Sequence, residues 1–435
     1  MSPILVGVLS FLVLIAALLL GIPLAMAMAT IGVIGYVLIS GMDGMLGMVA
    51  LIPWSKATHY TFTVVPLFIL MGNLIFTARF GEDLYKVARK WVGHLPGGLA
   101  VTTVLACTGF AAACGSSTAT AATMAKIAVP EMERYHYSRK LSLGSVASAG
   151  TLAIMIPPSI AMVLYCSITN QSVGKMFIAG ILPGLLMAFS YIVGAIVLQC
   201  RLHPDRGPAA ERSSWRERFQ SLYKVWGVLA ISLVVMGGIY MGIFTPTEAG
   251  ALGSIGALTL GVGSGRLNLE RIKNALLDTA RTTGMIFLIV IAAFMFSSQF
   301  TVSQLPQELA RWVIGLGLPP QAIVIAVIVM YIIMGTFMET IPLIFLTVPI
   351  VFPMIHALHV DPIWFGVITI HCIEMGMITP PFGITLFATQ ASIPGSKLED
   401  IIRGTVPFLI ADVIVLVILI AFPGISLFLP GFMKG

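Results

Sequence analysis

Of the three pairs of adjacent prolines, two, Pro157-Pro158 and Pro380-Pro381, stand at matching positions inside otherwise apolar stretches. Proline has no N–H, so within a helix the carbonyl four residues earlier loses its donor. The carbonyls released are those of Ala153 and Ile154, and of Gly376 and Met377. In hydrocarbon an orphan carbonyl is costly unless protein, water or an ion satisfies it. Hard cations such as Na⁺ take oxygen ligands of this kind. A kink satisfied by a neighbouring Ser or Thr is the plainer reading of either pair alone. Two pairs at matching positions favour paired ion sites.

A short polar run precedes each pair: Cys114-Gly-Ser-Ser-Thr118 in one case, Gly335-Thr-Phe-Met-Glu-Thr340 in the other. The hydroxyls of Ser116, Ser117, Thr118 and Thr340, with helix N-termini, suit a small anion as well as a cation. Gly115 and Gly335 let the backbone come close to a ligand. Glu339 is the sharpest residue, because an acid at membrane depth is expensive and usually functional. Its alternative is a carboxyl facing water at the mouth of the run. Glu374 could pair with His371, and Glu248 opens an apolar segment; both read more readily as structural or interfacial.

Other chemistry is thinly supported. There is no HExxH or GxSxG, and Gly115-Ser-Ser-Thr is not followed by the GK[ST] of a phosphate loop. His371 and Glu374 share a helical face but have no second such pair to complete a metal site. The five cysteines are odd in number and lack CxxC spacing, so no disulfide framework or zinc site is indicated.

The elements that must hold these residues follow from composition. Of 435 residues, 58% are hydrophobic and 10% charged, with a mean hydropathy of +1.00. Soluble domains carry about 25% charge, so a soluble enzyme is excluded and a multi-span membrane protein is expected. Ten apolar runs approach the roughly 20 residues that a span needs. Two more regions, about 95–132 and 318–356, are apolar but broken by the polar runs. Each reads as a re-entrant hairpin, with two full spans as the alternative. The Pro-Pro pairs fall in the spans that follow, about 141–167 and 364–388.

Placing the N-terminus outside puts 19 of the 24 Lys and Arg residues in inner segments, including the linker 201–224. The positive-inside rule selects that orientation. The net charge of +6 is then a topology signal and not a sign of nucleic-acid binding.

The chain also repeats itself. Pro23, Pro96, Pro130 and Pro157-Pro158 recur as Pro246, Pro319, Pro353 and Pro380-Pro381, all displaced by 223 residues. The reading is two halves, 1–200 and 225–435, joined by the linker. Each half has five spans and one hairpin, and an odd span count inverts the second half. Inverted repeats are typical of secondary transporters, with sites near the midplane, although channels and some membrane enzymes are also duplicated. The segment Gly81–Gly93 is expected to be an amphipathic helix at the inner interface, and its repeat, Leu305–Gly317, one at the outer interface.

Four segments in this order carry a resemblance. They are Cys114-Gly-Ser-Ser-Thr-Ala-Thr with Ile127-Ala-Val-Pro-Glu-Met132, then Ile154-Met-Ile-Pro-Pro-Ser159, Gly335-Thr-Phe-Met-Glu339, and Gly376-Met-Ile-Thr-Pro-Pro-Phe-Gly383. Across essentially its whole length the chain resembles the large membrane subunit, DctM-like, of tripartite ATP-independent periplasmic (TRAP) transporters. The resemblance implies an all-α integral membrane protein with the inverted-repeat elevator fold of the ion-transporter superfamily, two re-entrant hairpins and two Pro-Pro broken helices. It implies a secondary transporter of the bacterial inner membrane and not an enzyme. The transporter would import an organic acid anion, usually a carboxylate, with Na⁺ as coupling ion and no tightly bound cofactor. The implied partners are a small membrane subunit (DctQ-like) and a periplasmic substrate-binding protein (DctP-like). One implied Na⁺ site uses Cys114, Ser116, Gly150 and Ala153; the other uses Gly335, Gly376, Thr379 and the Phe382 carbonyl. The family often carries Ser where Cys114 stands, and Asp where Glu339 stands. Substrate is expected between the tips, at Ser116, Ser117, Thr118, Glu339 and Thr340. The rival readings are a partner-independent Na⁺ or H⁺ carboxylate symporter, an intramembrane enzyme, or a channel.

Overall fold

The computed structural model describes residues 2–114 and 116–433, with backbone only for Leu19 and residues 111–114. Helices joined by short turns make up the described residues, and no strand occurs among them. Helix is the only open-ended way to satisfy backbone groups in hydrocarbon. Among the described residues seven helices are long and apolar enough to cross a membrane, or up to nine if each bent pair is one span.

The two polar runs reverse the chain. In the first hairpin, Gly98–Cys114 and Ser117–Arg134 meet at residues 115 and 116, of which Gly115 lies outside the described residues. In the second, Pro320–Phe337 and Thr340–Ala357 meet at Met338 and Glu339. The second arms both have 18 residues, and their first residues are 223 positions apart. At roughly 1.5 Å per residue such an arm is about 27 Å long.

Each hairpin is followed by a broken helix. The first is Arg139–Met155 and Ile160–Thr169, bent by 42°. The second is Pro362–Met377 and Ile384–Ser392. The prolines break these helices, as the resemblance implies, and do not leave the simple kink that is the plainer reading of one pair alone. They occupy unwound segments, 156–159 and 378–383, and both Pro-Pro peptides are cis. Ser159 restarts the first helix, its Oγ accepting from the Met162 N–H at 3.4 Å. The second restarts from Gly383, whose φ of +55° is a conformation that glycine adopts without a Cβ penalty.

Around this centre run two long helices, Leu24–Ala57 and Leu269–Ser303. They approach closely because Gly32 lies on the Phe296 backbone, where a Cβ would come within 2.9 Å of Phe296 Cα. Gly41, with φ +74°, sharply redirects the first of them. The helices Arg139–Met155 and Leu398–Ala421 meet through Gly144 and Gly404, backbone against backbone.

The amphipathic helix Phe80–Val92 has Glu82 and Asp83 in its first turn and Arg89 and Lys90 in its last, which matches its dipole. It is held from two sides. Asp83 forms an ion pair with Arg266, which follows the helix Pro246–Gly263. Arg89 forms an ion pair with Glu131 of the first hairpin and donates to Tyr135 Oη at 2.6 Å. Within the linker a short helix, Trp215–Leu222, starts from a Ser214/Glu217 capping box. Its Trp215 and Phe219 rings pack on Trp91.

Candidate functional site

The hairpin tips are built by the residues that cap them. Ser116 has extended backbone and its Oγ accepts from the Ala119 N–H at 3.4 Å, so it opens the second arm of the first hairpin. Glu339 holds the corresponding position in the second hairpin, and its side chain makes no capping bond. That carboxylate instead accepts from Thr118 Oγ1 at 3.4 Å, so the two tips touch. Glu339 is exposed.

The acid at depth is Glu374, which is fully buried. Its Oε2 accepts from Ser117 Oγ at 2.5 Å and its Oε1 from Thr340 Oγ1 at 2.7 Å. Ser117 and Thr340 are the first helical residues of the two second arms, 223 positions apart. One carboxylate therefore joins both tips to the second broken helix. The hydroxyls of Ser117 and Thr340, expected at the substrate, are turned to this acid. Glu374 does not pair with His371, whose Nε2 lies 3.2 Å from the Asp412 carbonyl oxygen. Sequence reasoning underweighted Glu374; its one signal was an ionisable residue within a 16-residue apolar helix.

A second polar layer lies on neighbouring elements, Arg139–Met155, Tyr191–Val197 and Leu398–Ala421. Tyr191 Oη donates to Asp412 Oδ2 at 2.8 Å and lies 3.4 Å from Thr151 Oγ1. Asp412 and Tyr191 are fully buried and were not anticipated. Thr151 stands 223 positions before Glu374, so the two halves place different groups at matching points. Among the described residues neither Glu374 nor Asp412 forms an ion pair with Lys or Arg.

The structure brings the residues of the two implied ion sites together as follows. A Cβ on Gly150 would sit 3.0 Å from the Ser117 carbonyl and 2.7 Å from Ala121 Cβ, so the first broken helix lies against the first hairpin. Ala153 is buried two residues before the end of its helix, and Pro157 offers its carbonyl no N–H. Cys114 ends the first arm, and its side chain lies outside the described atoms. In the second half, Gly335 and Gly376 meet backbone to backbone, where a Cβ on Gly376 would lie 2.7 Å from Gly335 Cα. The Gly376 carbonyl is not the orphan that the proline argument predicts. The chain turns tightly after Met377, and the Thr379 N–H returns to that oxygen at 2.9 Å. Thr379 Oγ1 donates to the Met375 carbonyl at 2.6 Å, which leaves its own lone pairs free. Phe382 is half exposed, its ring 4.8 Å from that of Phe337, while the Gly383 N–H donates to the Thr336 carbonyl at 3.0 Å.

A cavity of about 690 Å³ opens beside the first tip, between Ala119, Thr123 and Lys126 of the hairpin arm and Phe76, Arg79 and Glu82 opposite. Arg79 lies 3.9 Å from Glu82, so Lys126 supplies the excess positive charge of the lining. That arrangement can draw in an anion and present it to capped helix N-termini.

Comparison with known proteins fixes the lineage. The family described as "Tripartite ATP-independent periplasmic transporter, DctM component" matches residues 11–425. This chain belongs to the DctM family. It is 39% identical to the C4-dicarboxylate TRAP transporter large permease protein DctM of Pseudomonas aeruginosa, over 87% of this chain and 88% of that one. It is 32% identical to the ectoine TRAP transporter large permease protein TeaC of Halomonas elongata, over 95% and 96% of the two chains. The crystal structure of the Alcanivorax borkumensis YdaH transporter superposes with a TM-score of 0.67 at 13% identity, covering 100% of this chain and 99% of that one. That likeness concerns the fold. A DctM-family chain is a transporter permease and not an enzyme, and its apolar helices make it a multi-pass membrane protein.

Proposed function

We propose that this DctM-family permease imports an organic acid anion, a carboxylate, across the inner membrane in symport with Na⁺. Hairpins and broken helices would move as one body against the long helices, an elevator motion. The observation that carries this reading is the meeting of both hairpin tips and the second broken helix at Glu374. A site made by two hairpins and a broken helix can only move as a unit without breaking those hydrogen bonds.

Substrate would lie at Ser116, Thr118 and Glu339, with Ser117 and Thr340 acting through Glu374. One Na⁺ would take oxygens of Cys114, Ser116, Gly150 and Ala153. The other would take those of Gly335, Gly376, Thr379 and Phe382. The free lone pairs of Thr379 Oγ1 and the side-chain-free contact of Gly335 with Gly376 support the second set. The N-terminus would be periplasmic, so the cavity at Arg79 and Lys126 would face the cytoplasm. The relatives' names cover a dicarboxylate and ectoine, and a periplasmic substrate-binding protein and a small membrane subunit would complete this chain.

The deciding experiment is uptake of labelled carboxylates into proteoliposomes holding this chain, its small membrane subunit and its binding protein. Uptake should require an inward Na⁺ gradient and all three components. Equal uptake with K⁺ in place of Na⁺ would overturn the coupling; uptake by this chain alone would favour a partner-independent symporter.

A further inference from the structure

Two cavities on the outer wall of the second half run into one another. The first, about 430 Å³, lies where the linker meets the helix Trp226–Tyr240; Lys224 and Arg266 supply its charge, and Tyr223 and Trp226 flank it. The second, about 280 Å³, is a groove between Trp226–Tyr240 and Pro246–Gly263. They share Trp226, Gly227, Thr259 and Leu260. The groove owes its depth to small residues, Gly253 and Gly256 on one wall and Ala230 on the other. It extends from Trp226 to Val235 along one helix, a rise of roughly 14 Å at 1.5 Å per residue.

A basic chamber flanked by exposed aromatic residues marks the level of the headgroups, where Trp and Tyr concentrate. Tyr223 is 80% exposed and Trp226 55%. Arg266 spends part of its charge on Asp83 and stacks over Phe80 at 4.9 Å. Lys224 forms no ion pair among the described residues, so the chamber holds an uncompensated cation. The chemistry that satisfies both parts at once is a phosphate joined to a long hydrocarbon chain. We propose that this composite pocket binds one anionic phospholipid, its phosphate at Lys224 and Arg266 and one acyl chain in the groove past Gly256. The charge complementarity and the continuity of polar chamber with apolar groove favour a lipid over a partner helix, which would need no phosphate site. The binding does not depend on which substrate is carried or on Na⁺ coupling.

The test is native mass spectrometry of the purified full-length chain in detergent, with added dioleoylphosphatidylglycerol or dioleoylphosphatidylcholine. One phosphatidylglycerol should be retained in preference to phosphatidylcholine. Lys224→Gln should cut that retention roughly fivefold, as expected for removing a surface cation. Ala230→Trp fills the groove without changing charge and should abolish retention of the long-chain lipid. Both variants should elute as the wild type does in size exclusion. Equal retention of the two lipids, or unchanged retention in both variants, overturns the proposal. So does displacement by millimolar inorganic phosphate with no dependence on chain length, which would make the chamber a phosphate site only.

Discussion

Ser117 Oγ and Glu374 Oε2 lie 2.5 Å apart although 257 residues separate them in the chain. Thr340 Oγ1 reaches the other oxygen of the same carboxylate at 2.7 Å. Hydrogen bonds to a charged acceptor are worth about 1.5–3 kcal/mol each. No Lys or Arg forms an ion pair with Glu374 among the described residues, so these two hydrogen bonds are its side-chain partners there.

Replacing Glu374 by Gln keeps the shape of the side chain and removes its charge. Na⁺-driven uptake in proteoliposomes should fall at least about tenfold, consistent with the loss of one such bond. Ser117→Ala and Thr340→Ala should each lower thermal stability in detergent. Their double variant should depart from additivity, because both act on one carboxylate. Strict additivity in that cycle would sink the idea of a shared clasp.

The proposed second Na⁺ site is tested at Thr379. Thr379→Val removes one oxygen while preserving shape, and the Na⁺ concentration for half-maximal uptake should rise about tenfold, the scale of one lost charge-assisted contact. Ser116→Ala should have a similar effect through the first site. Na⁺ titrations that superpose on the wild type for both variants count against the ligand sets.

Lys126 bears on the substrate and not on the ion. Because the cavity would face the cytoplasm, Lys126→Gln should raise several-fold the half-saturating anion concentration on the inner side, measured as counterflow from loaded proteoliposomes, and leave the Na⁺ titration in place. The difference between wild type and variant should shrink at high ionic strength, since screening weakens steering charges. An inner-side half-saturating concentration independent of residue 126 would remove the cavity from the proposed path.

Gly144 and Gly404 test packing. Their helices touch backbone to backbone, so even a methyl group meets carbonyl atoms that cannot move aside. Gly144→Ala should destabilise by about 1–3 kcal/mol, the usual cost of overpacking. The measurement is the melting temperature of the detergent-solubilised chain, with Gly284→Ala, which meets nothing within 4 Å, as the control.

Much of this architecture is legible before any coordinates are known, because it follows from local chemistry. Pro-Pro pairs lack donors, so they mark the two breaks, and small polar runs within apolar stretches mark the tips. The displacement of 223 residues between Ser117–Arg134 and Thr340–Ala357 is as visible in the prolines as in the helices. Glu374 is another matter. Its importance depends on two hydroxyls from distant hairpins arriving at its two oxygens, which no spacing along one helix reveals. The Gly376 carbonyl fails for a related reason. The rule about prolines assumes a helix on both sides, and the chain unwinds there instead, so the Thr379 N–H takes the place of the missing donor.

The helix Phe80–Val92 is riveted at one end to Arg266 and at the other to Glu131. These anchor points belong to the two bodies that would slide past each other, so this helix cannot stay passive when they do. It would behave as a connecting rod, converting a vertical stroke into its own change of tilt. The two rivets, at Asp83 and Arg89, stand six positions apart, about 9 Å along the helix, so that short separation limits the stroke the carrier can make before one of them must open.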